Sequence, residues 1–142
     1  MSEKVLLVDD EVDFLETLSE RMRLRDMDVT TSASPLDAIK KVQEKDYDAI
    51  IMDLKMPQMD GLQLLKVLKE KNPDLQIILL TGHATVEKGI EAMKLGATDF
   101  LEKPVDFKVL IEKIHKAQAK KMIIVKKHTE EHIKEILKVK GW

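Results

Sequence analysis

Five short apolar runs, each followed by an amphipathic stretch, constrain this chain more than any other feature. The runs are Lys4–Val8, Met27–Thr31, Asp48–Met52, Gln76–Leu80 and Asp99–Glu102. Each is short enough for a strand and too short for a buried helix. Between them apolar residues recur at steps of three and four. Val12, Leu15, Leu18 and Met22, with Leu24 beside them, share a face of a helix over Val12–Leu24. Ser34 can cap a second helix whose first turn accepts Pro35, with Leu36, Ile39 and Val42 as its inner stripe. A third helix, Gly61–Lys71, turns Leu62, Leu65 and Leu68 inward and stops at Asn72-Pro73. A fourth, Thr85–Leu95, closes on Gly96 as a left-handed cap. Pro104 ends the fifth strand, and a fifth helix starts near Asp106. Strands alternating with helices imply a parallel sheet covered on both faces. Right-handed crossovers favour a doubly wound α/β sheet in the order 2-1-3-4-5, with the Thr-rich second strand at an edge.

The 142 residues fit one domain with a short appendage, and a 44% hydrophobic content supplies a core. Without cysteine there is no disulfide framework, thiolate metal site or cysteine nucleophile. No segment approaches the ~20 apolar residues of a membrane span, and the N-terminus lacks a signal-peptide pattern. A soluble, cytoplasmic protein is expected. Residues 116–142 hold eight lysines against three glutamates, a net +5. In a chain of net −2, the body up to residue 115 therefore carries −7. Beyond residue 118 the strand–helix alternation ends. Met122, Val125, Thr129, His132, Ile136 and Val139 keep helical spacing, flanked by Ile133 and Leu137. We therefore divide the chain into a domain over residues 1–118 and a basic helical extension over 119–142.

In the flavodoxin-like order 2-1-3-4-5, ligands bind at the carboxyl ends of the strands. Those ends are chemically unusual here. The first strand leads into Asp9-Asp10-Glu11, the third into Asp53, the fourth into Thr81-Gly82 and the fifth into Lys103-Pro104. Carboxylates held together repel unless one is protonated or a cation intervenes. An all-oxygen donor set favours Mg²⁺, or Mn²⁺, over zinc. Asp10 and Asp53 can ligate directly and Asp9 through water. A carboxylate beside such a metal is a competent nucleophile towards phosphorus. The Lys103 ammonium and Thr81 hydroxyl can neutralise charge on the phosphoryl oxygens. A helix-cap reading suits Asp10 or Asp60 alone, but does not explain the whole convergence. His128 and His132 stand four apart without a third ligand, and read as a solvated face.

The segment Asp53-Leu-Lys-Met-Pro-Gln-Met-Asp-Gly61 resembles the phosphoacceptor loop of bacterial response-regulator receiver domains. Val8-Asp9-Asp10-Glu11, Thr81-Gly-His83 and Lys103-Pro104 resemble their other signatures, in order. The resemblance covers about residues 4–117. The runs from Thr81 and from Gly96 to Pro104 are similar to receivers of nitrogen-regulation and dicarboxylate-transport activators. The resemblance implies that Asp53 accepts a phosphoryl group from a histidine kinase or phosphotransfer protein. It implies Mg²⁺ held by Asp10, Asp53 and the backbone carbonyl of Lys55, with Asp9 assisting. It further implies a cis peptide between Lys103 and Pro104, and a switch in which Thr81 and Phe100 move together. Such a protein would turn over no separate substrate. Lys55 and His83 stand where the family varies its dephosphorylation rate, and Gln58 where glycine is frequent. No ATPase or helix-turn-helix output domain follows, so a receiver acting without one is expected.

Two other readings fit worse. A phosphohydrolase of the dehalogenase-like class needs a second aspartate two residues after the nucleophile, where this chain has Lys55. A flavodoxin-like cofactor binder needs anion-donating Gly, Ser or Thr in the first loop, where this chain has Asp9-Asp10-Glu11. Partner docking or homodimerisation is expected through the face of the fourth helix, fifth strand and fifth helix, together with the extension. Nucleic acid is not expected as a partner, since Trp142 is the one aromatic of the tail and no recognition motif accompanies it.

Overall fold

A computed structural model describes residues 2–82 and 85–139. His83 and Trp142 fall outside them, as does the side chain of Val139. The elements are β1 (Lys4–Val8), α1 (Val12–Arg23), β2 (Asp28–Ser32), α2 (Pro35–Glu44), β3 (Ala49–Asp53), α3 (Gly61–Lys71), β4 (Ile77–Thr81), α4 (Val86–Lys94), β5 (Asp99–Glu102) and α5 (Phe107–Val139). All five strands are parallel, in the order β2-β1-β3-β4-β5. The doubly wound sheet read from the sequence is therefore the fold of the protein.

Side-chain alternation along the strands sorts the core into two layers. Leu6, Val8, Ile50, Met52, Ile77 and Leu79 face α2, α3 and α4, where they meet Ala38, Leu64, Leu65, Leu68 and Ala92. Val5, Leu7, Ile51, Ile78 and Leu80 face the other way, towards Leu15, Leu18 and Met22 of α1 and Leu110, Ile111 and Ile114 of α5. Both layers are closed to water, which explains why β1, β3 and β4 are almost wholly apolar.

Local chemistry sets the helix ends. Ser34 Oγ accepts from the Asp37 N–H at the start of α2. Asp60 and Gln63 form a reciprocal capping box at α3. Gly96 takes φ +99° after α4, a conformation that a side chain resists.

Some inner-face assignments need correction. Val12 is 53% exposed and Leu36 65% exposed, although both were expected inward. Both sit in the first turn of a helix; in α2 the buried residues are Pro35 and Ala38, and Leu36 lies about 100° around the helix from Pro35. In α3 the buried set is Gly61, Leu64, Leu65 and Leu68, with Leu62 half-buried. Leu62 lies about 110° around the helix from the centre of that stripe, since each residue turns by about 100°.

The extension is not a separate helix. α5 runs unbroken for 33 residues, a rod of about 50 Å. No glycine or proline occurs in it to break it. Near its start it buries Leu110, Ile111, Ile114 and Ala117 against the sheet. Lys121 then fastens it to the opposite end from the strand-end aspartates, donating to Asp46 Oδ2 at 2.7 Å and to the Tyr47 carbonyl at 2.9 Å. Beyond Lys121, Met122, Ile123, Val125, Ile133, Ile136 and Leu137 are exposed.

Candidate functional site

The register of the sheet assembles the site. Val8 pairs with Met52 across β1 and β3, so Asp9 stands beside Asp53. Thr81 pairs with Glu102 across β4 and β5, and the Lys103 N–H donates to the Thr81 carbonyl at 2.8 Å. Alternation carried along β1, β3 and β5 puts Asp9, Asp53 and Lys103 on the α1 side of the sheet. Three residues distant in the chain thus meet because β1, β3 and β5 end at one level.

Asp10, Asp53, Lys55, Thr81 and Lys103 line a cavity of about 450 Å³ over this rim. Asp9 and Asp53 are buried at 3% and 6% exposure, and Asp10 is exposed. One carboxylate oxygen from each of the three lies within 4.8 Å of the others. Lys103 Nζ donates to Asp9 Oδ2 at 2.8 Å and stands 3.6 Å from Asp53 Oδ2 and 3.8 Å from Glu11 Oε1. Backbone donors complete the shell: the Glu11 N–H to Asp9 Oδ1 at 2.9 Å and the Lys55 N–H to Asp53 Oδ1 at 3.3 Å. The bond between Lys103 and Pro104 is cis.

This geometry tunes both partners. Burial, and then repulsion from Asp9, pushes the Asp53 carboxyl above its ordinary value, against the pull of Lys103. Burial works against the Lys103 ammonium, but its hydrogen bond and attraction to Asp9, with Asp53 and Glu11 adding to it, raise its pKa overall. Three carboxylates facing one ammonium leave a surplus of negative charge. Close-set oxygen donors with that surplus fit a hard divalent cation. The donor chemistry therefore suits metal binding by Asp9, Asp10 and Asp53.

The raised Asp53 value fixes a pH dependence. Asp53 holds its proton to higher pH in the folded protein than in the unfolded chain. Its contribution to stability is present below the ordinary carboxylate value and lost as pH rises through the raised one. Asp53→Asn is expected to stabilise the metal-free protein at neutral pH by on the order of 1 kcal/mol, Lys103 offsetting part of the repulsion. The gain should vanish in acid, which urea unfolding across a pH series would show.

Phe100 is not part of the cavity. It is half-buried beside α4, where it lines a groove of about 890 Å³ with Val86, Gly89, Ile90 and Met93. Two contributors escaped the sequence reading. The Lys103 ammonium lies 4.1 Å from the centre of the Phe14 ring, in the first turns of α1. Gly61 permits a close approach: a Cβ there would lie 2.5 Å from Leu54 Cα and 2.6 Å from the Asp53 carbonyl oxygen. The signal for Phe14 was an aromatic four residues after Asp10. That for Gly61 was a glycine at a helix start, where it lowers helix propensity.

Comparison with known proteins identifies the family. The response regulator receiver domain family matches residues 5–115. The transcriptional regulatory protein ZraR of Salmonella typhimurium is 39% identical over 115 residues, covering 81% of this chain and 26% of that protein. The C4-dicarboxylate transport transcriptional regulatory protein DctD of Pseudomonas aeruginosa is 35% identical over 129 residues, covering 89% and 27%. The chain thus spans about a quarter of the length of these relatives. A response regulator receiver domain protein from Clostridium thermocellum superposes with TM-score 0.82 at 31% identity, covering 86% of this chain and 98% of that one. The beryllofluoride-activated NtrC4 receiver domain dimer gives TM-score 0.79 at 33% identity, covering 83% and 98%. With a family match over most of its length and an acidic pocket at the switch point of the sheet, this chain belongs to the response regulator receiver domain family.

Proposed function

We propose that Asp53 is the phosphoacceptor of this receiver and that its phosphorylation controls partner binding. The observation that carries this is the meeting of Asp9, Asp10 and Asp53 within 4.8 Å, with Lys103 beside two of them. The donor is a phosphohistidine of a histidine kinase or phosphotransfer protein. An Asp53 oxygen attacks phosphorus, the P–N bond breaks, and the departing imidazole nitrogen takes a proton from solvent. Asp53 needs no base, because it attacks as the carboxylate. The Lys103 ammonium offers its charge to a phosphoryl oxygen, and Thr81 a hydroxyl. Asp10, Asp53 and the Lys55 carbonyl would hold Mg²⁺ (or Mn²⁺), with Asp9 assisting. The bound ion supplies charge neutralisation on the phosphoryl oxygens. The protein turns over no separate substrate and promotes only its own phosphorylation and dephosphorylation. The setting is the cytoplasm, where ATP-dependent phosphodonors are made.

Mg²⁺ alone gives a first test. At ten times its dissociation constant it should add about 1.4 kcal/mol of stability. Asp10→Asn should lose most of that gain in thermal unfolding. An equal gain in wild type and variant would contradict the ligand set.

The output reading follows from exposed apolar surface. Val86, Ile90 and Met93 of α4 are exposed beside Phe100, and Met122, Val125 and Ile136 are exposed on α5. Thr81 and Phe100 relay the phosphoryl state to the α4–β5–α5 face, where a kinase, a target or a second copy docks. Residues 1–118 are the switching unit, and 119–142 the extension that adds contact area. Similarity to a receiver dimer supports self-association. Light scattering with beryllofluoride should show a dimer. A monomer with and without beryllofluoride would contradict self-association.

A further inference from the structure

We infer that Phe14 is a positioning residue for Lys103, holding its ammonium ready for the phosphoryl group; this rests on Asp53 being the phosphoacceptor. Lys103 Nζ is the cation nearest the acidic rim, and its placement is lopsided. It hydrogen-bonds Asp9 at 2.8 Å yet stays 3.6 Å from Asp53. Glu11 lies 3.8 Å away, and the Phe14 ring, 4.1 Å from the ammonium, is the uncharged group placed against it. The ring is fixed in turn. It is half-buried and packs against the core layer shared by α1 and α5, at whose margin Leu101, Val105 and Phe107 also lie.

An aromatic face suits this task better than another carboxylate. It attracts a cation through its quadrupole without adding negative charge to a site that already carries four acids, Asp9, Asp10, Glu11 and Asp53. It also makes no directional hydrogen bond. The ammonium can therefore slide the last fraction of an ångström towards a phosphoryl group on Asp53 while keeping the ring beneath it. An aliphatic side chain of similar size would fill the space but would neither attract the charge nor exclude water from that side as a flat plate does. Lys103 would then sample more rotamers, and fewer of its conformations would face the incoming phosphoryl group.

The test measures initial rates of Asp53 phosphorylation by acetyl phosphate with Mg²⁺, alongside thermal stability. Phe14→Leu should slow phosphorylation about three- to tenfold, the range of a partly buried cation–π contact. Phe14→Tyr, which keeps the ring and can turn its hydroxyl to solvent, should restore the wild-type rate. In a Lys103→Met background Phe14→Leu should have no further effect on rate, since the charge it acts on is gone. Two outcomes overturn the inference: Phe14→Leu lowers stability but leaves the rate unchanged, or it slows the Lys103→Met protein equally. If wild type itself is not phosphorylated, the phosphoacceptor reading fails first and this inference with it.

Discussion

Gly61→Ala is expected to be the most damaging single-methyl change in the protein. The new Cβ would fall 2.5 Å from Leu54 Cα and 2.6 Å from the Asp53 carbonyl oxygen, both backbone atoms that cannot rotate away. The Gly61 N–H also donates to the Leu54 carbonyl at 2.6 Å, tying the start of α3 to the loop after Asp53. Relief requires α3 to move away from β3, and that disturbs Leu64, Leu65 and Leu68, which are completely buried. Overpacking of this kind costs on the order of 3 kcal/mol, or about a 10 °C fall in Tm for a chain of this size. Phosphoryl uptake should fall as well, because the displaced strand end carries Asp53. A control, Gly82→Ala, meets nothing within 4 Å among the described residues and should be nearly neutral for stability.

Lys103→Met should separate stability from phosphorylation. The substitution keeps most of the side-chain volume and removes the charge. Asp9, 3% exposed, then keeps the Glu11 N–H on Oδ1 but loses the ammonium on Oδ2, while Asp53 and Asp10 remain close by. Leaving a buried carboxylate in that state costs roughly 2–3 kcal/mol at neutral pH. Mg²⁺ should recover much of this, since a cation again faces the three carboxylates, and the variant should bind the ion more tightly than wild type. Phosphorylation should not recover. Loss of one preorganised charge aimed at the phosphoryl oxygens lowers such rates about 10²- to 10³-fold. Chemical unfolding with and without Mg²⁺, beside rates with acetyl phosphate, would distinguish the two effects. Equal recovery of both would mean that Lys103 serves only to neutralise the resting site.

Much of this was legible in the sequence because the determinants are local. β1, β3 and β4 are unbroken apolar runs, and each ends at the polar residue that marks the rim. Short strands of similar length then place Asp9, Asp53 and Lys103 at one level without any knowledge of packing. What escaped depends on how far each helix is rotated about its axis. Leu62, Leu64 and Leu65 are equally apolar, and only contact with the sheet selects Leu64 and Leu65 for the core. Val12 and Leu36 are apolar too, but stand exposed, Leu36 between the buried Pro35 and Ala38. The meeting of Phe14 with Lys103 spans 89 residues and reflects the seating of α1 on the sheet, which no local pattern encodes. The continuity of α5 is legible in its lack of glycine and proline, although charge and periodicity change near residue 118.

The most direct measurement is to phosphorylate the protein with acetyl phosphate and Mg²⁺ and to locate the modification by mass spectrometry after borohydride trapping of the acyl phosphate. Wild type is expected to gain the mass of one phosphoryl group, with the trapped product at Asp53, and Asp53→Asn to gain none. A wild-type protein that stays unmodified, or an Asp53→Asn variant modified to the same extent, would contradict the assignment of Asp53 as the acceptor.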